Sequence, residues 1–409
     1  MSPLHCLLST GLAAPTHSGH KSAILPLTSV GYGFSYDVAV QFGSEGNKQF
    51  QMTVDTGSAD SWILGSAWQC FQLAENGTIA QVEQDSCPSQ ATDRGFEVDD
   101  SVWFGQSLGA GDTIGTFGYD TMGFPGCGGR HDSLSLPRQE FAVANTTIGA
   151  VLDGFAVGIL GFGYPSITYK HPNTLNIDEV LAGNASLFDD RIAHPTVFES
   201  LVAEGIEPYI SLALERTPFD QAQGFGGYLA LGTLPPVPHG PFVVTPVEIT
   251  ENLPLTLTNN TVEITEWTLR VQAVTYTPPN STTVTNTTNF QAVVDSGQNL
   301  NLLPFEAARD INAAFDPPAT LVEATDFYTV SCNATPPRLG ITIANHTFAI
   351  NALDMIWRDE AGTCYSSVLP AANDAQQGIS LNFLGDAFLK NVVAVFDAGK
   401  DEMRFAERL

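Results

Sequence analysis

Apolar residues along this chain gather into short runs rich in β-branched and aromatic side chains, each bounded by Gly, Asn, Asp or Pro. Tyr36-Asp-Val-Ala-Val-Gln-Phe42, Gln49-Phe-Gln-Met-Thr-Val54, Tyr228-Leu-Ala-Leu231 and Val392-Val-Ala-Val-Phe396 are of this kind and predict strands. Helical spacing is rare. Val197, Phe198, Leu201 and Val202 make one apolar face behind a Thr196/Glu199 capping pair, with Gly205 as a stop, and predict a helix over 197–204. A second helix is predicted from Pro304 to about Phe315, with Ala307, Ile311 and Ala314 on one side. The chain therefore reads as mainly β. Its 409 residues exceed the roughly 250–300 that one hydrophobic core holds, so two units are expected.

The pattern also repeats. Gln51-Met-Thr-Val-Asp55-Thr-Gly-Ser58 recurs 240 residues later as Gln291-Ala-Val-Val-Asp295-Ser-Gly-Gln298. Each copy is followed by two apolar residues and a Gly: Ile159-Leu160-Gly161 starts 104 residues after Asp55, and Phe383-Leu384-Gly385 starts 88 residues after Asp295. The two halves thus read as one unit duplicated. Each Asp ends an apolar strand and opens a Gly turn. The glycine lets the backbone bend and approach closely, while the Thr56 or Ser296 hydroxyl can bond to the opposite backbone. Brought together across a twofold axis, the carboxyls would share a proton, since like charges a few ångströms apart do not both ionise. A water between them would then meet a general base on one side and a general acid on the other. A single Asp-Thr-Gly often does no more than cap a turn, but that does not account for a duplicated copy with its own downstream triplet.

Charge narrows the picture. Sixteen Lys and Arg stand against 44 Asp and Glu, a formal charge of −28. Nucleic-acid phosphates are excluded as partners, and a working pH below seven would relieve the self-repulsion. Eight N-x-[ST] sequons, at Asn76, Asn145, Asn184, Asn259, Asn280, Asn286, Asn333 and Asn345, predict a glycosylated surface. Leu4–Pro15 reads as the end of a signal peptide, and no apolar run spans a bilayer, so a secreted or vacuolar-lumen protein with no membrane partner is expected. If Cys6 leaves with the signal, five cysteines remain. Local pairs Cys70–Cys87 and Cys332–Cys364 would leave Cys127 free, with Cys127 to Cys70 or Cys87 as the open alternative.

These motifs resemble the pepsin-like aspartic protease family of the secreted fungal type. The likeness runs from about Ile24 to Leu409: Val54-Asp55-Thr56-Gly57-Ser58 with Ser61-Trp62, Gly118-Tyr-Asp-Thr121, Gly158-Ile-Leu-Gly161, Gly227-Tyr-Leu-Ala-Leu-Gly232, Trp267, Val294-Asp295-Ser296-Gly297, and Phe383-Leu-Gly-Asp386 with Val395-Phe-Asp397. The resemblance implies an all-β, bilobal fold with a few short helices and a cleft. It divides the chain into a leader over 1–23, an N-terminal lobe over 24–206 and a C-terminal lobe over 207–409. It implies a monomeric endopeptidase acting on polypeptides through activated water, with no cofactor or metal. Asp55 and Asp295 take the positions of the catalytic pair, supported by Thr56, Gly57, Ser58, Ser296, Gly297 and Gln298.

Three departures stand out. Gln298 replaces the small hydroxyl that Ser58 supplies in the first copy, and must either donate its amide to Asp295 or swing away. The substrate-covering flap tip is expected at Trp103-Phe104-Gly105, where Phe104 lacks the phenol that the family aims toward the indole of Trp62. About ten residues between the leader and the first strand are too few for a long basic pro-segment, so either the start is misplaced or the enzyme is not held as an ordinary zymogen.

Rival readings are weaker. Gly105-Gln-Ser107-Leu-Gly109 fits a nucleophile elbow but is not followed by a helix start. The histidines, His131, His171, His194 and His239 among them, show no metal-ligand spacing and read as isolated surface or turn residues. Glu97-Val-Asp99-Asp100 lacks calcium-loop spacing and reads as a solvated strand entrance. The alternative from another class is a pepsin-fold binding or inhibitor protein of weak or no activity, which Gln298 and Phe104 favour and the two intact Asp residues oppose.

Overall fold

The computed structural model describes residues 20–43, 48–73, 79–82, 96–108, 111–127, 133–149, 152, 155–172, 191–218, 220–251, 253–258, 260–323, 326–374 and 379–409. The leader segment Leu4–Pro15, Cys6, Cys87, Asn76, Asn184 and Asn259 lie outside them. Short strands dominate, with three α-helices among the described residues, Val197–Ala203, Phe305–Ala313 and Asp386–Leu389. The first begins where Thr196 and Glu199 cap each other's backbone reciprocally, and it buries Val197, Phe198 and Leu201. The second follows Pro304 and buries Ala307, Ala308 and Ile311. The third, only four residues long, carries no sequence signal beyond the glycine before it.

Period-two burial follows from the pleat. In Ala23–Val30 the buried Ala23, Leu25 and Leu27 alternate with partly exposed neighbours. Val392–Asp397 is buried at every position: Tyr209–Leu214 and Glu402–Glu407 pair along its two edges, and Trp267 packs on Phe396 with ring centroids 5.3 Å apart. The largest sheet has 15 strands and joins segments from both halves of the chain: Ala23–Val30 pairs with Gln223–Leu231, which pairs with Tyr209–Leu214.

The duplication is visible in the strand order. Lys48–Asp55 runs parallel to Gly158–Gly161, which is antiparallel to the start of Trp62–Leu73. In the second half Phe290–Val294 runs parallel to Phe383–Leu384, which is antiparallel to Asn301–Leu303. Each triplet strand is thus wedged between the strand that delivers an Asp and the strand that leaves it. Its glycine is required there. A Cβ on Gly161 would lie 2.6 Å from the Ser58 oxygen and 2.5 Å from that of Asp60, and one on Gly385 would lie 2.2 and 2.4 Å from those of Gln298 and Leu300.

Cysteines depart from expectation in one respect. Cys332 and Cys364 are joined, with Cα atoms 5.2 Å apart. Cys127 is also disulfide-bonded, as is Cys70, so the expected free thiol at Cys127 is corrected. The expected partner of Cys70, Cys87, lies outside the described residues. Cys127 sits beside the first strand, its N–H donating to the Ile24 carbonyl at 3.0 Å, a proximity that no local loop in the sequence indicates.

Candidate active site

The two Asp-bearing turns meet through a reciprocal set of bonds. Thr56 Oγ1 donates to the Val294 carbonyl at 2.9 Å and Ser296 Oγ to the Val54 carbonyl at 2.8 Å. Each hydroxyl also accepts from the opposite backbone, Ser296 N–H to Thr56 at 3.0 Å and Thr56 N–H to Ser296 at 3.2 Å. Both side chains are buried, so each bond replaces water that would otherwise be lost. Glycine is forced by closeness: a Cβ on Gly57 would stand 2.5 Å from Asp295 Cγ, and one on Gly297 would stand 2.6 Å from Asp55 Cγ. Six residues beyond each Asp the match continues, Gly161 N–H bonding Ser61 Oγ at 3.1 Å and Gly385 N–H bonding Asn301 Oδ1 at 3.2 Å.

This arrangement brings the Asp55 and Asp295 carboxyls together, each lying against the glycine of the other's turn and each shifting the other's titration. Asp55 is buried and Asp295 half-buried. Their supports differ. Asp55 accepts from Gly57 N–H at 2.8 Å and from Ser58 Oγ at 2.6 Å. Asp295 accepts from Gly297 N–H at 2.8 Å, while the Gln298 side chain turns back and its Oε1 accepts from Leu300 N–H at 3.3 Å. Of the two alternatives open to Gln298, the structure shows the second. Burial raises the Asp55 carboxyl above its ordinary range, opposed by Ser58, Asp295 and Gly57. Burial and then the charge of Asp55 raise Asp295 well above that range, with fewer donors opposing.

The expected flap tip is misplaced. Strands Glu97–Leu108 and Gly111–Phe124 form a hairpin whose register pairs Leu108 with Gly111, so the turn lies beyond Leu108 and not at Trp103-Phe104-Gly105. Phe104 pairs with Gly115 on one side and with Lys170 on the other. A residue held from both edges sits inside a sheet; Phe104 is fully buried with Trp62, Phe117 and Tyr169. Trp103 stacks on His171 at 4.0 Å. The two glycines around Ala110 were the available signal. Trp62 Nε1 is buried with no hydrogen-bond partner.

Two further departures concern charged groups. His171 and His194 are buried and not on the surface. His194 Nε2 bonds Asp60 Oδ1 at 2.7 Å and its Nδ1 lies 3.2 Å from Glu140 Oε2, which places a buried ion network two residues beyond Ser58. Glu266 also lies beside the pair: burial, then the charges of Asp295 and Asp55, push its carboxyl well above the usual range. Neither could be found from local sequence, because both depend on strands far apart in the chain. Ser107 lies in a strand with another strand after it, so no nucleophile elbow forms. Among the described residues, no group of three or more His, Cys, Asp or Glu is arranged to hold a metal ion.

Comparison with known proteins agrees with this geometry. The family model described as eukaryotic aspartyl protease matches residues 35–202 and 243–408. A probable aspartic-type endopeptidase of Aspergillus fumigatus is 30% identical over 408 residues, covering 96% of this chain and 83% of that protein. A probable aspartic-type endopeptidase of Arthroderma benhamiae is 24% identical over 386 residues; the match covers 94% of this chain but only 63% of that longer relative. The crystal structure of an aspartic proteinase from Irpex lacteus superposes with a TM-score of 0.64 at 21% identity, covering 95% of this chain and 97% of that one, and so shares the bilobal all-β fold. The chain is an aspartic-type endopeptidase by descent, and it belongs to the eukaryotic aspartyl protease family.

Proposed function

We propose that Asp55 and Asp295 are the catalytic dyad, and that they hydrolyse internal peptide bonds at acidic pH through a water held between them. The observation that carries this is the contact between two carboxyls at equivalent points of the repeat, each delivered by a turn whose glycine leaves room for the other. The donor-rich Asp55 is the ionised member and the donor-poor Asp295 holds the proton. Asp55 takes a proton from the water as its oxygen attacks the carbonyl carbon, while Asp295 gives its proton to the carbonyl oxygen. The tetrahedral diol then collapses, Asp55 passes its proton to the leaving nitrogen, Asp295 recovers one from the diol, and the C–N bond breaks. No bond to the protein forms at any stage.

Two bonded cysteines beyond the Cys332–Cys364 pair support folding in an oxidising compartment, in keeping with secretion or delivery to a vacuolar lumen. Digestion of a denatured protein across pH, with and without a statine-type mimic of the diol, tests the reading. Acid-side cleavage abolished by the mimic is the expected result. A neutral or alkaline optimum, or loss of activity on chelation, would overturn it.

A further inference from the structure

Glu266 lies just before the strand that pairs with the one delivering Asp295. The antiparallel register that pairs Thr268 with Val293 continues one step further, where Val294 N–H donates to the Trp267 carbonyl at 2.9 Å. There the ladder ends: Thr268 N–H bonds the Glu266 carbonyl at 2.7 Å, a bend that sets Glu266 at the end of the strand, next to the turn that carries Asp295. Its neighbour Trp267 is pinned, Nε1 donating to the Phe162 carbonyl at 2.9 Å, and Phe162 N–H in turn bonds the Asp55 carbonyl at 2.8 Å. Glu266 is thus held against both turns of the dyad.

One oxygen of its carboxyl is unused within the fold. Oε2 is buried without a hydrogen-bond partner, although the residue as a whole keeps part of its surface exposed. Among the described residues, the charges acting on it are those of Asp295 and Asp55, both of its own sign. A buried carboxyl in that company lacks a donor and a counter-charge, and only a group arriving from outside supplies both.

We propose that Glu266 is a specificity-determining residue of the cleft, receiving the cationic side chain of a Lys or Arg that flanks the bond to be cleaved. A cation there satisfies the orphaned oxygen and favours the ionised form of Glu266, whereas an apolar side chain leaves that oxygen unpaired. The inference rests on the dyad being catalytic, and the experiment separates the two.

Peptides carrying either Lys or norleucine at one position at a time, from three residues before the scissile bond to three after it, are compared by kcat/KM at one acid pH. The parent protein should favour Lys by about tenfold or more at one position, a preference of about 1.4 kcal/mol. Glu266→Gln should bring that ratio close to one at that position only, and Glu266→Asp should retain part of it. Each ratio is taken within a single preparation, so a poorly folded fraction cancels. A ratio unchanged by Glu266→Gln at every position, in protein whose cleavage the statine mimic still blocks, overturns the role of Glu266 alone. Absence of mimic-sensitive cleavage from the parent overturns the dyad and this inference with it.

Discussion

His194 Nε2 and Asp60 Oδ1 meet at 2.7 Å, both side chains almost wholly out of solvent. Asp60 uses its other oxygen to accept from Tyr169 N–H at 2.7 Å, so the segment leaving the Asp55 turn is tied to two separate stretches of chain. On the far side of the imidazole lies Glu140, itself bonded by Lys170 at 2.7 Å and by the Tyr119 hydroxyl. The sequence Asp-Thr-Gly-Ser delivers a carboxylate; this network behind it keeps the delivering loop in place.

Stability should follow pH through that network. Burial opposes a charged His194, but its bonds to Asp60 and Glu140 more than offset this and hold it at about 9, against an ordinary 6.5. Burial also opposes a charged Glu140, yet His194, Lys170 and Tyr119 pull it down to about 2, against 4.5. The raised His contributes in full below 6.5 and loses its contribution as pH climbs toward about 9. The depressed Glu contributes in full above 4.5 and loses its contribution as pH falls toward about 2. Both are whole only between 4.5 and 6.5, and the melting temperature should peak there. His194→Gln should lower that peak by about 3 kcal/mol and flatten the decline on its alkaline side. Melting curves of parent and variant that shift with pH in parallel would sink the assignment.

Asp55→Asn and Asp295→Asn should each cut kcat by a factor of ~10²–10⁴ or more, since in the proposed mechanism either removes one of the two proton-transfer partners. Unchanged circular dichroism would show that the fold survives. The parent should give a bell-shaped profile on the acid side, its two limbs belonging to the pair and not to either residue. A substantial rate in either variant would point to other catalytic groups.

What the sequence showed and hid follows from where each signal lies. Asp55, Asp295, Gly161 and Gly385 were legible because each is required by a backbone approach repeated in both halves, so the same short string occurs twice. The helix at Val197 was legible because its cap is local. Phe104 was misread because its partners, Gly115 and Lys170, come from two other strands, and an aromatic beside glycine looks the same in a hairpin tip as in a sheet interior. Glu266 and His194 were invisible for a related reason. Their significance lies in a register and a packing contact that join segments tens of residues apart.

Closeness at the dyad makes its glycines sensitive. Gly57→Ala would place a methyl group 2.5 Å from Asp295 Cγ, and Gly297→Ala one 2.6 Å from Asp55 Cγ. The carboxyls must part to admit it, and a displacement near 1 Å costs roughly a hundredfold in rate. Gly240→Ala is the control, with only the Glu407 oxygen 3.8 Å away. Kinetics of the three should show kcat falling by about 10² in the first two and unchanged in the third. Full activity in Gly57→Ala would mean that the turns are looser than this contact requires.

Gln298 is where the two halves stop matching, and its consequence is a pH effect. Ser58 gives Asp55 a hydroxyl bond of 2.6 Å, whereas the Gln298 amide oxygen is spent on Leu300 N–H and the bond from Gln298 to Asp295 runs from its backbone N–H to the Asp295 carbonyl at 3.4 Å, not to the carboxyl. A donor lost from the charged form raises a carboxylate, and burial already raises Asp295. Gln298→Thr puts a hydroxyl at the position equivalent to Ser58. The added donor favours ionised Asp295, so the shared proton leaves at lower pH and the basic limb of the profile should move downward, by one unit for each 1.4 kcal/mol that the bond contributes. The acid limb, set by protonation of Asp55, should move far less. Thr and Ser at this position should act alike, and Val, of the same shape as Thr without its hydroxyl, should leave the basic limb where the parent has it. A Val variant that shifts as far as Thr would show that the change comes from removing the Gln298 side chain and not from the restored bond.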